Sequence, residues 1–157
     1  MKKKLTFITG AGISQESGIQ TFRCLKNGLW NNYKIEDVAT WQAWNKYPEI
    51  VQEFYNMRRK DILSKAPNSG HLAIAKLEKH FDVNVITTNV DPYHSVAGSS
   101  KVLHLHGNIT LAKSSDPLYA WAGFSDTIKE KYYPIVGDTL NYPDDKAPDG
   151  FPLRPHV

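Results

Sequence analysis

The chain has 157 residues, 41% hydrophobic and 22% charged, enough for about one globular domain with a sizeable core. A net charge of +3 is too mild to argue for nucleic acid or an anionic membrane as partner, and no apolar run approaches the length of a membrane span. One cysteine, Cys24, excludes an internal disulfide and fits a reducing cytoplasm; it reads as a small packed hydrophobe rather than a reactive thiol.

After Met-Lys-Lys-Lys comes too short an apolar stretch for a signal peptide, and Leu5 to Thr9 reads as a buried strand. It runs straight into Gly10-Ala11-Gly12-Ile13-Ser14, followed by Glu16-Ser17-Gly18. Strand, Gly-x-Gly and helix start together are how α/β proteins hold a pyrophosphate, because glycine admits the ligand to the backbone and free N–H groups meet its charge. Gln15 stands where the dinucleotide fingerprint has a third glycine, so a simple strand-to-helix turn explains the stretch equally well. Residues 19–37 read as a mobile loop with little regular structure. From Thr40 to Ala66 the spacing predicts a helix, with Pro48 in a first turn and Pro67 ending the run. Tyr55 and Arg58 share a face of it; spacing alone makes them a core edge and a solvated charge.

Asn68 is a good N-cap for a helix through Leu72, Ile74, Leu77 and Phe81, on which His71 and His80 read as helix and surface residues, not ligands. Asp82 to Thr87 is the next strand, and Thr87-Thr88-Asn89-Val90-Asp91 sits at its carboxyl end, where open parallel sheets bind ligands. Tyr93, His94, Ala97 and Gly98 form a short helix and turn. Lys101 to His106 reads as a third strand, with Val102, His104 and His106 on one face. Two histidines so placed could be a metal pair, yet no third ligand is near. By itself a strand histidine is more often a satisfied core residue. Between Asn108 and Pro155 there is neither cysteine nor histidine, which excludes a cysteine zinc module there. Ser114 to Pro117 reads as a cap for a helix through Leu118, Trp121, Phe124, Ile128 and Tyr132, and Asn141 to Pro152 as an irregular loop.

The ordered series GAGIS-x-ESGI-x-TFR, Asn68-Ser69-Gly70-His71, Thr87 to Asp91, and His104-Leu105-His106-Gly107 closely resembles the sirtuins, NAD-dependent protein-lysine deacylases. Leu153-Arg154-Pro155-His156-Val157 also looks like a segment of that family. The resemblance implies an α/β, Rossmann-like parallel sheet with helices on both faces and a small, partly irregular, metal-free lobe. It implies NAD as cofactor and an acyl-lysine protein or peptide as substrate. Gly10, Ala11, Gly12, Ile13, Ser14, Glu16, Ser17 and Gly18 would then form the phosphate-side loop, with Phe22 and Arg23 at the nicotinamide side. Asn89 and Asp91 match the pocket around nicotinamide and its ribose. Thr88 replaces the usual Gln and is too short to make the same ribose contact without a bridging water. His106 matches the catalytic histidine, whose imidazole takes a proton from a ribose hydroxyl.

Tyr55 and Arg58 resemble the Tyr-x-x-Arg of the branch accepting succinyl-type groups, where a guanidinium fork and a phenol hold a distal carboxylate. In that light the chain reads as one C-terminally truncated catalytic domain, 1–157, with small-lobe insertions at about 19–66 and 108–152. Such a sheet would leave apolar surface uncovered, so self-association is expected. The rival readings are an NAD hydrolase or ADP-ribosyl transferase on the same fold, and an inactive nucleotide-binding module.

Overall fold

The computed structural model describes residues 2–19, 38–119 and 131–157. Phe22, Arg23 and Cys24, nearly all of the loop expected over 19–37, and Trp121, Phe124 and Ile128 lie outside the described residues. The elements in chain order are β1 (Lys4–Thr9), α1 (Trp41–Lys46), α2 (Pro48–Leu63), α3 (Ser69–Lys76), β2 (Asp82–Thr87), α4 (Tyr93–Val96), β3 (Val102–His104), β4 (Leu111–Ser114), β5 (Tyr132–Pro134) and β6 (Leu153–Pro155). They fall into two compact units: Met1–Asn32 with Asp61–Asn108 and Val157, and Tyr33–Lys60 with Ile109–His156.

The first unit is built on a parallel sheet in the order β1-β2-β3. Alternation in β1 and β2 sends Phe7, Val83 and Val85 to one face, where Ile13, Ile74, Leu77, Phe81 and Val102 pack on them. Removing a side chain of this size from water contributes roughly 1.5–3 kcal/mol. Across the sheet, Ile8, Ile86 and Leu103 are in register on the opposite face, and Ile8 is 80% and Leu103 55% exposed. The α3 helix begins as its sequence dictates, at the Asn68 cap, and passes into a 3-10 turn at Leu77–Lys79.

The second unit carries an antiparallel sheet in the order β5-β4-β6. Thr40 caps α1, its hydroxyl accepting from Ala43 N at 3.0 Å. One face of α2 is anchored by polar side chains. Gln52 Nε2 and Asn56 Nδ2 donate to Leu140 O at 2.8 and 2.9 Å, and Arg59 Nε donates to Ile109 O at 2.7 Å. Trp44 meets Tyr142 edge-on at 5.5 Å. Between Asn141 and Pro152 regular structure reduces to one bridge, Lys146 to Pro152.

Three sequence readings change. The helix expected over Thr40 to Ala66 is two helices separated at Tyr47, with Pro48 opening the second as its missing N–H favours. The strand expected to reach His106 stops at His104; Leu105 and His106 lie in a turn, and Gly107 takes φ 84°. Ser114, expected as a helix cap, ends β4, Pro117 to Tyr119 are 3-10, and Tyr132, expected on the helix, belongs to β5; residues 120–130 lie outside the described residues. Among the described residues, no helix is long and apolar enough to cross a membrane.

Candidate active site

The three strands of the first unit end in one row, with Thr9 beside Thr87 and Thr87 beside His104. Because they are parallel, all three chain exits leave the same end of the sheet: Gly10 to Gly18, Thr88 to Asp91, and Leu105 to Gly107. Thr88 N donates to Thr9 O at 3.1 Å and Leu105 N to Thr87 O at 2.9 Å, so the exits stay joined by backbone bonds beyond the ladder.

The glycine stretch folds tightly. Gly10 is extended (φ −141°, ψ −170°), Ala11–Ser14 form a 3-10 turn, and Glu16, Ser17 and Gly18 continue as turns, ending at φ 84° on Gly18. Lys65 Nζ closes the far end on Gly18 O at 2.8 Å. A Cβ on Gly10 would lie 3.4 Å from Thr88 Oγ1, whereas one on Gly12 would meet nothing within 4 Å. Gly12 therefore borders open space at the carboxyl end of the sheet, the space a phosphate-bearing ligand needs.

Behind the turn lies a buried polar cluster. Ser14 is fully buried, and its hydroxyl donates to Asp91 Oδ2 at 2.9 Å. It accepts from Asn89 Nδ2 at 3.0 Å, and His71 Nε2 lies 3.5 Å away. Asn89 Nδ2 also reaches Gly10 O at 3.1 Å, and Asp91 Oδ1 accepts from Tyr93 N at 3.2 Å. Asn68 N–H donates to His71 Nδ1 at 3.3 Å, which leaves Nε2 as the protonated nitrogen of the neutral ring. Burial holds His71 below its ordinary value, opposed by Asp91. His94, 1% exposed, bonds Thr9 Oγ1 through Nε2 at 2.9 Å, and burial with the neighbouring His71 pushes it down to about 4. His104 Nδ1 lies 2.9 Å from Asn89 O and steadies the same loop.

The structure thus brings Gly10, Ala11, Gly12, Ile13, Ser14, Glu16, Ser17, Gly18, Thr88, Asn89, Asp91 and His106 to one end of one sheet. His106 and Thr88 are exposed, while Ser14, Asn89 and Asp91 are the buried supports. Tyr55 and Arg58 stand together on α2 in the second unit. Tyr55 is 8% exposed, with its ring 5.1 Å from Phe54, and burial raises its hydroxyl to about 12 against the pull of Arg58 and Arg154. It remains a hydrogen-bond donor at every physiological pH.

His71 corrects the sequence reading: it is on a helix, as expected, but wholly buried rather than at the surface. Its sequence signal is its place three residues after the Asn68 cap, the capping-box spacing, where a side chain turns back to the cap. His94 and His104 have no comparable signal, because their partners are 85 and 15 residues away.

The profile of the Sir2 family matches residues 10–133. An NAD-dependent protein deacylase of Bacteroides thetaiotaomicron is 46% identical over 155 residues, covering 99% of this chain and 63% of the relative. One of the same description from Helicobacter pylori is 47% identical over 135 residues, covering 82% of this chain and 58% of the relative. Among solved structures, a Sir2 homologue–NAD complex superposes with a TM-score of 0.79 at 36% identity, covering 98% of this chain and 57% of that one. The chain spans about three fifths of the length of these relatives. With 46% identity along nearly its whole length, and with the family's motifs gathered at one end of the sheet, the chain belongs to the Sir2 family.

Proposed function

We propose that the chain is the catalytic, NAD-binding portion of an NAD-dependent protein-lysine deacylase. The observation that carries this is the single row in which the sheet ends. It delivers the glycine turn, the Asn89–Asp91 loop and His106 to the same edge, with open space at Gly12. The descriptions of the relatives and the NAD-bound homologue support the choice of ligand.

NAD, when bound, supplies a ribosyl carbon that accepts the acyl oxygen of the substrate lysine, with nicotinamide as leaving group. The backbone of Gly10 to Gly18 receives the phosphates. Ser14, itself held by Asn89, fixes the Asp91 carboxylate, which would face the nicotinamide side of bound NAD. His106, exposed just beyond β3, takes the proton from a ribose hydroxyl as general base. In the second unit, Tyr55 and Arg58 supply a donor hydroxyl and a guanidinium that suit an acidic acyl group such as succinyl. The acyl-lysine peptide binds extended, by strand addition.

The test is to incubate the chain with NAD and an acetyl- or succinyl-lysine peptide and to follow products by mass. Free lysine peptide with O-acyl-ADP-ribose is expected. ADP-ribose with intact peptide would instead support NAD hydrolysis, the reading that the short, exposed Thr88 favours. His106→Asn should reduce deacylation by about a hundredfold or more while NAD still binds. Self-association is part of the same proposal: the apolar row of Ile8, Ile86 and Leu103 pairs with a second copy, and Ile8→Lys should lower the mass seen in sedimentation. A parent chain that sediments as a monomer at all concentrations would remove that part.

A further inference from the structure

Asn68 is more than a helix cap. Its Oδ1 accepts from Gly70 N at 2.9 Å, its N–H donates to His71 Nδ1 at 3.3 Å, and its carbonyl accepts from Leu72 N at 3.2 Å. The Gly70 N–H requires an oxygen, so the amide nitrogen must face the other way. There it donates to Ile13 O at 2.6 Å and to Ser17 Oγ at 3.1 Å. Both amide hydrogens of the side chain are spent on the glycine turn, one on each half. Contact is close: a Cβ on Gly70 would sit 3.1 Å from Asn68 Oδ1 and 3.6 Å from Ile13 Cγ1.

Resting on the nucleotide-binding reading above, we propose that Asn68 is a positioning residue that clamps the glycine turn onto the first turn of α3 and keeps it in the shape that receives the ligand's diphosphate. The peptide plane is the reason the clamp matters. Because the Ile13–Ser14 unit is planar and trans, holding Ile13 O fixes the direction of the Ser14 N–H. Ser14 in turn carries the hydrogen bond to Asp91, and Ser17 N donates back to Ser14 O at 3.1 Å. A turn fixed before the ligand arrives loses no conformational freedom on binding, which is worth affinity without any new contact. Asn68 itself needs no contact with the ligand.

Serine caps a helix about as well as asparagine but is too short to reach either turn atom, so Asn68→Ser separates the two roles. Asn68→Ala removes both. Hydrogen exchange on the free chain is the deciding measurement. In Asn68→Ser, amides from Ile13 to Ile19 should exchange about tenfold faster, with those of Leu72 to Lys76 at the parent rate. In Asn68→Ala both sets should accelerate. Titration with ADP-ribose should show Asn68→Ser binding several-fold more weakly than the parent. Turn amides that exchange at the parent rate in Asn68→Ser overturn the clamp. A parent that binds ADP-ribose while Asn68→Ser matches its affinity overturns the clamp's part in binding. If the parent fails to bind ADP-ribose, the nucleotide reading falls, and the exchange data still decide whether the turn is clamped.

Discussion

Gly12 and Gly10 differ although they stand two residues apart. A Cβ on Gly10 would touch the Thr88 hydroxyl at 3.4 Å, an ordinary contact, whereas one on Gly12 would enter open space, so the missing side chain of Gly12 is the one that belongs to the ligand. Neither has a positive φ, and a methyl group costs no backbone strain at either position. Gly12→Ala should therefore melt at the parent temperature and yet bind NAD at least about tenfold more weakly, a split that thermal melts and calorimetric titration would show. A Gly12→Ala variant that binds normally would move the ligand elsewhere. Thr88 is the converse case. It is exposed beside the turn, and lengthening it in Thr88→Gln should restore a ribose hydrogen bond and tighten NAD binding by roughly two- to tenfold. An unchanged dissociation constant would show that this side chain does not face the ribose.

The elements show what a sequence can and cannot announce. Arg59 is fully buried on α2, where Nε holds Ile109 O at 2.7 Å, Nη1 holds Asn56 Oδ1 at 2.7 Å, and burial lowers its pKa to about 10. Arg59→Ala leaves the Ile109 carbonyl without its donor and opens a void, so it should cost about 2–4 kcal/mol in urea unfolding. Nothing in Met57-Arg58-Arg59-Lys60 marks one arginine as interior, because that depends on a carbonyl 50 residues away. Local signals are legible: β1 and β2 from their apolar runs (although β1, expected to be buried, is half-exposed with Ile8 80% exposed), the start of α3 from Asn68, the start of α2 from Pro48. Pattern alone runs the third strand two residues too far at its carboxyl end, because apolar alternation continues through Leu105 and His106 while the backbone already turns toward Gly107. Ser114 has the chemistry of a helix cap, and its hydroxyl does accept from Asp116 N at 3.1 Å, but it does so at the end of a strand that β6 pairs. Of the site, the glycine turn and Asn89, Asp91 and His106 are readable as motif residues. The cluster behind them is not, since Ser14 reaches its partners across 57, 75 and 77 residues.

For the molecule as a whole, the buried imidazoles set the response to acid. Folding lowers the pKa of both His71 and His94, so at acidic pH the unfolded chain binds more protons than the folded one. Their stabilising contribution is complete above the ordinary histidine value of about 6.5 and is lost as pH falls toward the folded value, about 4 for His94. For His94 the full swing is at most about 3 kcal/mol, since a tenfold change in proton affinity corresponds to about 1.4 kcal/mol. His71, Asp91 and His104 all face His94, and Asp91 opposes the effect of burial, as it also does for His71. Asp82, held below the usual carboxylate range chiefly by its hydrogen bond from Lys101, adds a loss of the same sign at lower pH. Melting temperature should therefore fall steadily between about pH 6.5 and 4. His94→Gln retains an amide that reaches Thr9 Oγ1 and cannot titrate, so it should flatten much of that slope. If the variant keeps the parent's full slope, the acid sensitivity comes from groups other than His94.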